Sequence, residues 1–183
     1  MRTLIINGSP RKNGDTSALI SHMREHLLGE IKEIRTYDSD IAPCIDCRAC
    51  RTQAGCVICD GMQEIYSYLE GCDNVIIASP LYFTELTGSL LNVGSRLQTY
   101  FSAHYFRGEE PLLSRKKGAV ILTGGGMGSY DGAYKTAKCL LKSMNAQDIF
   151  PAVFCGNTDR LPAKDNIEAL KSVRRAAEFL SSP

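Results

Sequence analysis

The sequence predicts an α/β protein, a three-layer sandwich in which helices cover both faces of a five-stranded parallel sheet. Short apolar runs alternate with amphipathic segments along the chain, as expected for consecutive βαβ units. Most of the apolar runs do not alternate with polar residues, which is typical of strands buried on both faces. The length of 183 residues fits a single domain, here residues 1–183.

The first part of the chain contains two predicted strands and one predicted helix. Residues 3–6 are a short apolar run that ends at a turn. Residues 16–28 place their apolar side chains towards one side of a helix, which Asp15 or Thr16 can cap. Residues 31–37 indicate the second strand.

A cysteine-rich loop and the next helix, strand and helix follow. Residues 42–60 have no hydrophobic period and contain both proline and glycine, which indicates a loop. A helix is predicted over 62–70 and the third strand over 74–79. Pro80 ends this strand because proline has no N–H group for the sheet. A further helix is predicted over 87–101.

The last part of the chain contains two more strands and two more helices. The strands are predicted over 118–122 and 148–154, and the helices over 131–144 and 163–180. Because βαβ crossovers are right-handed, few strand orders are available. Of these, 2-1-3-4-5 is the common order for five parallel strands, and we expect it here.

Composition excludes several classes of function. Apolar residues make up 44% and charged residues 22% of the chain, and 21 basic residues balance 20 acidic residues to a net charge of +1. This balance gives no reason to expect nucleic acid or an anionic membrane as a partner. The sequence shows neither a signal peptide nor a membrane span of about 20 apolar residues. We therefore expect a cytoplasmic protein.

The segment after the first strand, residues 8–17, has the composition of an anion-binding loop. It leaves a strand and opens a helix, whose N-terminus offers free backbone N–H groups and a partial positive charge. Arg11 adds a guanidinium group that matches phosphate oxygens. Further hydroxyl donors come from Ser9, Thr16 and Ser17.

The spacing of glycines in this loop distinguishes between classes of phosphate. A Walker loop needs four residues between its glycines, followed by Lys and then Ser or Thr. Here five residues separate Gly8 from Gly14, and Asp15 follows. The dinucleotide fingerprint Gly-x-Gly-x-x-Gly is also absent from this turn. A terminal monophosphate is therefore the favoured ligand, and a polar turn with a capped helix is the alternative.

These residues resemble a known family. Residues 8–12, Gly-Ser-Pro-Arg-Lys, with Thr16 and Ser17 resemble the phosphate loop of the NADPH-dependent FMN reductase superfamily, whose fold is flavodoxin-like. Residues 79–83, Ser-Pro-Leu-Tyr-Phe, resemble the Pro-x-Tyr segment that lies along the flavin ring in that family. Arg96 resembles the arginine of the following helix, and the resemblance extends over nearly the whole chain.

The resemblance implies FMN as cofactor, NAD(P)H as co-substrate and a homodimer or homotetramer with the flavin near a subunit interface. It implies that the FMN phosphate is held by Ser9, Arg11, Asn13, Thr16 and Ser17. It implies that the isoalloxazine ring is contacted by Pro80, Leu81, Tyr82 and Phe83. The far side of the ring would be approached by Thr123, Gly124, Gly125 and Gly126.

Elementary chemistry supports the same loops independently. A flavin ring needs a flat apolar surface and backbone donors near its edge. An extended segment stiffened by Pro80 supplies such a surface through Tyr82 and Phe83, for which packing under a loop is the alternative. The glycine run 124–126 lacks side chains, so its N–H groups can approach a ring edge closely.

The chain departs from the family pattern at three positions. Asp15 stands where the family usually has Asn, and a carboxylate repels a phosphate unless it points away as a helix cap. Leu91 and Ser95 replace the Lys and Asp that the family has before Arg96. These changes bear on FMN affinity rather than on the fold.

Cysteines form the second distinctive pattern. The spacing Cys44-x2-Cys47-x2-Cys50-x5-Cys56 lets thiolates converge on one side of a short loop, as in ferredoxin-type clusters. It resembles the compact motif of the iron–sulfur flavoproteins, a branch of the same superfamily, which implies a [4Fe–4S] cluster near FMN. A structural zinc site and free or redox-active thiols remain alternatives, and Cys59 is the expected spare.

The other cysteines and the histidines suggest no further site. Cys72, Cys139 and Cys155 lie in apolar surroundings, and we expect them in the core. His22 and His26 are four residues apart on a helix, but the sequence supplies no evident third ligand. We expect them to be a solvated surface pair.

The leading functional hypothesis is an FMN-dependent NAD(P)H oxidoreductase that passes electrons through the flavin to a small acceptor or to an iron–sulfur cluster. No side chain needs to act as a general acid or nucleophile, because the flavin carries the chemistry. The alternative is a non-enzymatic electron carrier with FMN and a cluster, which serves a redox partner protein. A third possibility is a domain that has lost FMN and acts as a binding module.

Overall fold

The computed structural model of the protein describes residues 1–110 and 113–182 and has the expected three layers. Its strands are β1 (Arg2–Asn7), β2 (Glu30–Arg35), β3 (Asn74–Pro80), β4 (Lys116–Thr123), β5 (Ala146–Ile149) and β6 (Val153–Cys155). Its α-helices are α1 (Asp15–Arg24), α2 (Met62–Gly71), α3 (Gly88–Arg96), α4 (Gln98–Arg107), α5 (Asp131–Ser143) and α6 (Ile167–Ser181). Two short 3-10 turns cover Ala49–Arg51 and Ala163–Asp165.

The strand order confirms the prediction. All pairings in the sheet are parallel and follow β2-β1-β3-β4-β5, with β6 paired to β4 beyond β5. In β1, Leu4 and Ile6 pack with α2, α3 and α5, whereas Ile5 packs with α1 and α6. The apolar runs seen in the sequence are therefore strands buried on both faces.

Two predicted elements are each divided in the structure. The predicted strand 148–154 is interrupted at Pro151, which has no N–H group to donate to the ladder, so β5 and β6 are separate strands. The predicted helix 87–101 is two helices, α3 and α4, which meet at Leu97. There the Leu97 amide donates to Gly94 and the Tyr100 amide donates to Leu97, both with the three-residue spacing of a 3-10 turn.

The remaining differences are smaller. Helix α1 ends at Arg24 rather than at residue 28, and the final predicted helix 163–180 is a 3-10 turn followed by α6. Cys72 and Cys155 are buried as predicted, but the prediction for Cys139 is wrong, because this cysteine is exposed on α5. Among the described residues no helix has both the length and the apolar character that crossing a membrane requires.

Candidate functional site

Three loops meet at the carboxyl ends of β1, β3 and β4, as the parallel sheet requires. The Gly8 amide donates to the Ala78 carbonyl at 2.7 Å, and the Leu81 amide donates to the Thr123 carbonyl at 2.8 Å. The Thr87 hydroxyl donates to the Gly8 carbonyl at 2.9 Å. The structure therefore brings the predicted phosphate residues and the predicted ring residues to one edge of the sheet.

The first of these loops, residues 8–17, is called the anion loop below. Its hydroxyl side chains are buried and fix its curl. Ser9 and Ser17 both donate to the Arg11 carbonyl, at 3.2 and 3.0 Å. The Thr16 hydroxyl is bonded to the Thr123 hydroxyl at 2.7 Å. These hydroxyls therefore hold the backbone of the loop in shape, whereas Arg11 itself is exposed.

The N-terminus of α1 lies in the anion loop and has no side-chain cap. Gly14 is the N-cap, so the prediction that Asp15 or Thr16 caps the helix is wrong. The N–H groups of the first turn, which a cap would have satisfied, remain available to an anion. The Asp15 carboxylate accepts from the Ala163 amide at 2.9 Å and pairs with Arg11 at 3.3 Å. Its charge is thereby partly compensated.

Sequence reasoning missed a second cation beside the anion loop. Arg35, the last residue of β2, donates to the Ser9 carbonyl at 3.1 Å and approaches the Ser17 hydroxyl at 3.5 Å. Its guanidinium also pairs with Asp38 at 2.9 Å. The signal that could have revealed it is the parallel register, because Arg35 lies opposite Asn7, the residue immediately before the anion loop.

The loop after β3 forms a tight hairpin. Tyr82 and Glu85 exchange backbone hydrogen bonds of 2.9 and 3.0 Å, and the two residues between them have positive φ, 52° at Phe83 and 64° at Thr84. Positive φ is uncommon for residues other than glycine and unfavourable for a β-branched one. The Phe83 side chain is fully exposed. The predicted aromatic surface therefore exists and faces solvent, not the core.

The glycine run after β4 is joined to the loop that follows β6. Thr158 and Asn157 donate backbone hydrogen bonds to Gly124 and Gly126, at 3.0 and 2.8 Å. A Cβ atom added at Gly125 would lie 2.4 Å from the Asp159 carboxylate, whereas one added at Gly126 would meet nothing within 4 Å. The space beside Gly126 is therefore open. The glycine run 124–126 and residues 80–83 are together called the rim below.

The loop between β2 and α2, residues 42–60, is called the cysteine loop below. It forms a cavity of about 90 Å³ with the carboxyl end of α3 and with α4. The four predicted ligands Cys44, Cys47, Cys50 and Cys56 all line this cavity, and Cys59 does not. Aromatic walls come from Phe101 and Phe106.

Arg96 ties the two ends of the cysteine loop together. Its buried guanidinium donates to the carbonyl oxygens of Ala42 and Ile58, at 3.0 and 2.8 Å, and to the Asp60 carboxylate at 2.7 Å. Asp60 also accepts from the Ala42 amide at 3.0 Å. We call Arg96 and Asp60 the clamp.

Hydrogen bonding keeps the Asp60 carboxylate ionised. Burial acts to raise its pKa, but the hydrogen bonds from Arg96 and from the Met62 and Ala42 amides outweigh that effect. The pKa of Asp60 is therefore held below its ordinary value. The clamp is therefore an ion pair at neutral pH, at the base of the cysteine loop.

Comparison with known proteins identifies the family. The model of the family described as NADPH-dependent FMN reductase matches residues 1–159. The chain belongs to the NADPH-dependent FMN reductase family. It is therefore an oxidoreductase that uses FMN as its cofactor and NAD(P)H as its co-substrate.

Individual relatives agree with this family. The chain is 28% identical over 174 residues to a protein named iron-sulfur flavoprotein from Archaeoglobus fulgidus, over 93% of this chain and 74% of that protein. It is 33% identical over 129 residues to an iron-sulfur flavoprotein from Methanosarcina thermophila, over 68% of this chain and 64% of that protein. The fold is similar to an FMN-dependent NADH-azoreductase from Bacillus anthracis str. Ames Ancestor in complex with FMN, with a TM-score of 0.74, 20% identity and full coverage of both chains.

The residues at the edge of the sheet where the anion loop and the rim meet fit FMN. The uncapped N-terminus of α1 has free donors for a phosphate, and positive charge comes from Arg11 within the anion loop and from Arg35, which contacts Ser9. The open space beside Gly126 leaves room for a ring edge. The roles of the individual side chains stay predictions, and those of Ser9, Thr16 and Ser17 are indirect in this geometry because their hydroxyls bond within the protein.

The cysteine cavity fits a group larger than one ion. One water needs about 10–15 Å³ by the same measure, so the cavity has room for several atoms. Thiolates around zinc, with Zn–S bonds of about 2.3 Å, lie roughly 3.8 Å apart in a tetrahedron. Among the described residues no three cysteine sulfurs lie within 4.8 Å of one another. The thiols of the described residues are therefore not arranged as in a closed tetrahedral zinc site.

Two buried polar atoms of the described residues have no hydrogen-bond partner, and both belong to residues that line this cavity. They are Arg96 Nε and Thr99 Oγ1. Buried polar groups are nearly always paired. An acceptor bound in this cavity would satisfy both atoms.

The histidine pair differs from the prediction. The structure adds Glu25 as a third group, and the ligand atoms of His22, Glu25 and His26 all lie within 4.8 Å of one another. Both histidines are half-buried rather than fully solvated.

Proposed function

We propose that this chain is an FMN-dependent NAD(P)H oxidoreductase whose electrons pass from the flavin to a [4Fe–4S] cluster held by Cys44, Cys47, Cys50 and Cys56. The observation that carries the proposal is the convergence of these four cysteines on one cavity while Cys59 stays outside it. FMN takes two electrons with a hydride from NAD(P)H and can release them one at a time, which a cluster requires.

The position of α3 supports transfer between the two sites. Its N-cap, Thr87, is bonded to Gly8 in the anion loop, and its last residue, Arg96, lines the cysteine cavity. A helix of nine residues is about 13 Å long at 1.5 Å per residue. The two sites are thus about one short helix apart, which suits direct electron transfer without a mobile carrier.

The protein's own residues have the tasks of binding and orientation. The anion loop holds the FMN phosphate through the N-terminus of α1, and the rim supports the ring through Tyr82 and Phe83. The clamp holds the cysteine loop in a shape that can bind metal. The final acceptor is a small molecule or a redox partner protein, and the expected homo-oligomer and cytoplasmic location stay predictions.

The test is a visible spectrum with iron and acid-labile sulfide analysis of anaerobically purified protein. We expect flavin bands and about four irons per chain, with bleaching of the flavin on addition of NAD(P)H. Flavin without iron, even after reconstitution with iron and sulfide, would overturn the cluster and leave an FMN reductase with free thiols. Rapid NAD(P)H oxidation without any partner protein would separate the enzyme from the non-enzymatic carrier.

A further inference from the structure

The break between α3 and α4 aligns two unpaired donors. Leu97 joins the helices through a 3-10 turn, and residues three apart in a 3-10 turn lie on the same side. Arg96 and Thr99 are three apart, and both line the cysteine cavity. A continuous α-helix over this segment would place them about 60° apart around its axis.

Neither donor atom has a hydrogen-bond partner among the described residues, and the Cys56 thiol, a proposed cluster ligand, lies close enough to interact with Arg96. The other nitrogens of Arg96 are bound to Asp60, Ala42 and Ile58, so the guanidinium is fixed and its Nε–H cannot rotate towards water. Thr99 is 4% exposed, in the first turn of α4. An unpaired buried donor lowers stability unless a bound group satisfies it.

We propose that Arg96 Nε and Thr99 Oγ1 donate hydrogen bonds to sulfur atoms of the iron–sulfur cluster and thereby raise its reduction potential. The inference rests on the proposed function, because it requires a cluster in the cavity. A reduced cluster is more negative than an oxidised one, so donors to its sulfurs stabilise the reduced state more. Because Asp60 already balances the Arg96 charge, hydrogen bonding rather than net charge is the main effect.

Thr99 is the better residue to change, because valine has the same shape as threonine and Arg96 also maintains the loop. In anaerobic protein loaded with iron and sulfide, Thr99→Val should shift the cluster potential to a more negative value in a potentiometric titration. At a fixed ambient potential the ratio of reduced to oxidised cluster should fall about fivefold, the contribution of one hydrogen bond. Thr99→Ser keeps the hydroxyl and should retain the wild-type potential.

The iron-free protein provides a readout that needs no cluster. Removal of an unpaired buried hydroxyl should leave the urea midpoint of Thr99→Val at or above that of the wild type. A lower midpoint would mean that the hydroxyl has a partner within the protein, and it would overturn the inference.

The outcomes separate this inference from the proposed function. Wild-type protein that binds no iron would overturn both. Iron bound at wild-type level in Thr99→Val, with an unchanged potential, would overturn the inference alone. A negative shift in Thr99→Val that Thr99→Ser does not show would support it.

The end of α1 provides a second, independent candidate site, for a metal ion. His22, Glu25 and His26 bring two imidazoles and a carboxylate within 4.8 Å, and the carboxyl end of a helix favours a cation. We infer that these residues bind a divalent transition-metal ion such as Ni²⁺ or Zn²⁺, for which imidazole is a suitable ligand. The ion would link the last turn of α1 to the residues that follow it.

The chain provides an internal control, because its third histidine, His104, is exposed on another helix. In a titration of the purified protein with Ni²⁺ followed by NMR, the imidazole signals of His22 and His26 should broaden before those of His104. His26→Ala should weaken the effect on His22 at least tenfold. Equal broadening of all three signals, or an unchanged affinity in His26→Ala, would overturn the site.

Discussion

The anion loop and the cysteine loop are built on different principles. The anion loop, residues 8–17, is shaped by its own neighbours: Ser9 and Ser17 both bond to the Arg11 carbonyl inside the same loop. The cysteine loop, residues 42–60, is held at both ends by Arg96, which lies far along the chain at the end of α3. The curl of the anion loop is thus set within the loop, which Thr87, Thr123 and Arg35 also anchor from three other elements, whereas both ends of the cysteine loop depend on one distant side chain.

Because of this difference, substitutions should disrupt the two sites in different ways. The anion loop is held by several separate hydrogen bonds, so the loss of any one of them should leave most of its shape intact. A loop tied by one buried ion pair loses its shape when either partner of that pair is removed, because the remaining charge is left buried and unpaired. We therefore expect the two sites to respond independently to substitutions, with the larger effects on the cysteine side.

The largest effect tests whether the cysteine loop acts as a site. Cys56→Ser should abolish iron binding after reconstitution, because a four-cysteine cluster loses one of its ligands. The matched control is Cys59→Ser, which removes a thiol of the same loop that does not line the cavity. Iron content per chain measures both, and FMN content should be unchanged in each. Equal loss of iron in the two variants would contradict the assignment of Cys59 as the spare.

The next effect tests the anion loop. Arg35→Met removes the guanidinium that donates to the Ser9 carbonyl, a bond worth roughly 1.5–3 kcal/mol to the shape of the anion loop. Because it also removes a positive charge beside the expected phosphate site, we expect FMN affinity to fall about tenfold. Fluorescence titration of the FMN-free protein measures this affinity. Arg115→Met, whose arginine pairs with Asp148 on the exposed surface, should bind FMN as the wild type does. Loss of iron in Arg35→Met would show that the two sites are coupled.

Sequence patterns predicted the local features well. The strand order and the buried strands follow from apolar runs and from the handedness of crossovers, and the anion loop follows from residues next to one another in the chain. The interruptions within two predicted elements were missed. Pro151 lies inside an otherwise apolar run, and the 3-10 turn at Leu97 has no sequence signal of its own.

Features that depend on distant residues were predicted less well. The four cavity cysteines were identified by their spacing, but the clamp was not, because nothing near Arg96 indicates that its partners are Ala42, Ile58 and Asp60. Arg35 was missed for the same reason, since its role appears only when β2 is placed beside β1. The exposure of Cys139 also depends on which side of α5 meets the sheet.

Acid should weaken the clamp. The pKa of Asp60 is lowered in the folded state, so the ionised carboxylate contributes stability above its ordinary pKa. That contribution is lost as the pH falls through the pKa that Asp60 has in the folded protein. Asp60→Asn should be less stable than the wild type at neutral pH. Below pH 4, however, the urea midpoint of Asp60→Asn should fall less steeply with decreasing pH than that of the wild type. Identical pH profiles would mean that Asp60 does not stabilise the fold by its charge.

The smallest effect concerns the hairpin after β3, next to the rim residues 80–83. Thr84 has φ of 64° in the hairpin that follows β3, and a β-branched residue is strained in that conformation whereas glycine is not. Thr84→Gly should therefore stabilise the protein by about 1 kcal/mol, after allowance for the greater freedom of glycine in the unfolded chain.

Thr52→Gly is the matched control for this prediction, because Thr52 is exposed at an ordinary φ of −116°. There the backbone is unstrained, and the change raises the entropy of the unfolded chain and removes the hydrogen bond from the Thr52 hydroxyl to the Ala49 carbonyl. The urea midpoint should therefore fall rather than rise. A midpoint that falls in both variants would show that the Thr84 conformation costs little. If Thr84→Gly raises the urea midpoint as expected and also weakens FMN binding, the strained conformation contributes to holding the ring. The protein would then accept strain in this hairpin for the sake of binding, as binding sites often do. The hairpin would then resemble the cysteine cavity, where two donors stay unpaired until a ligand arrives.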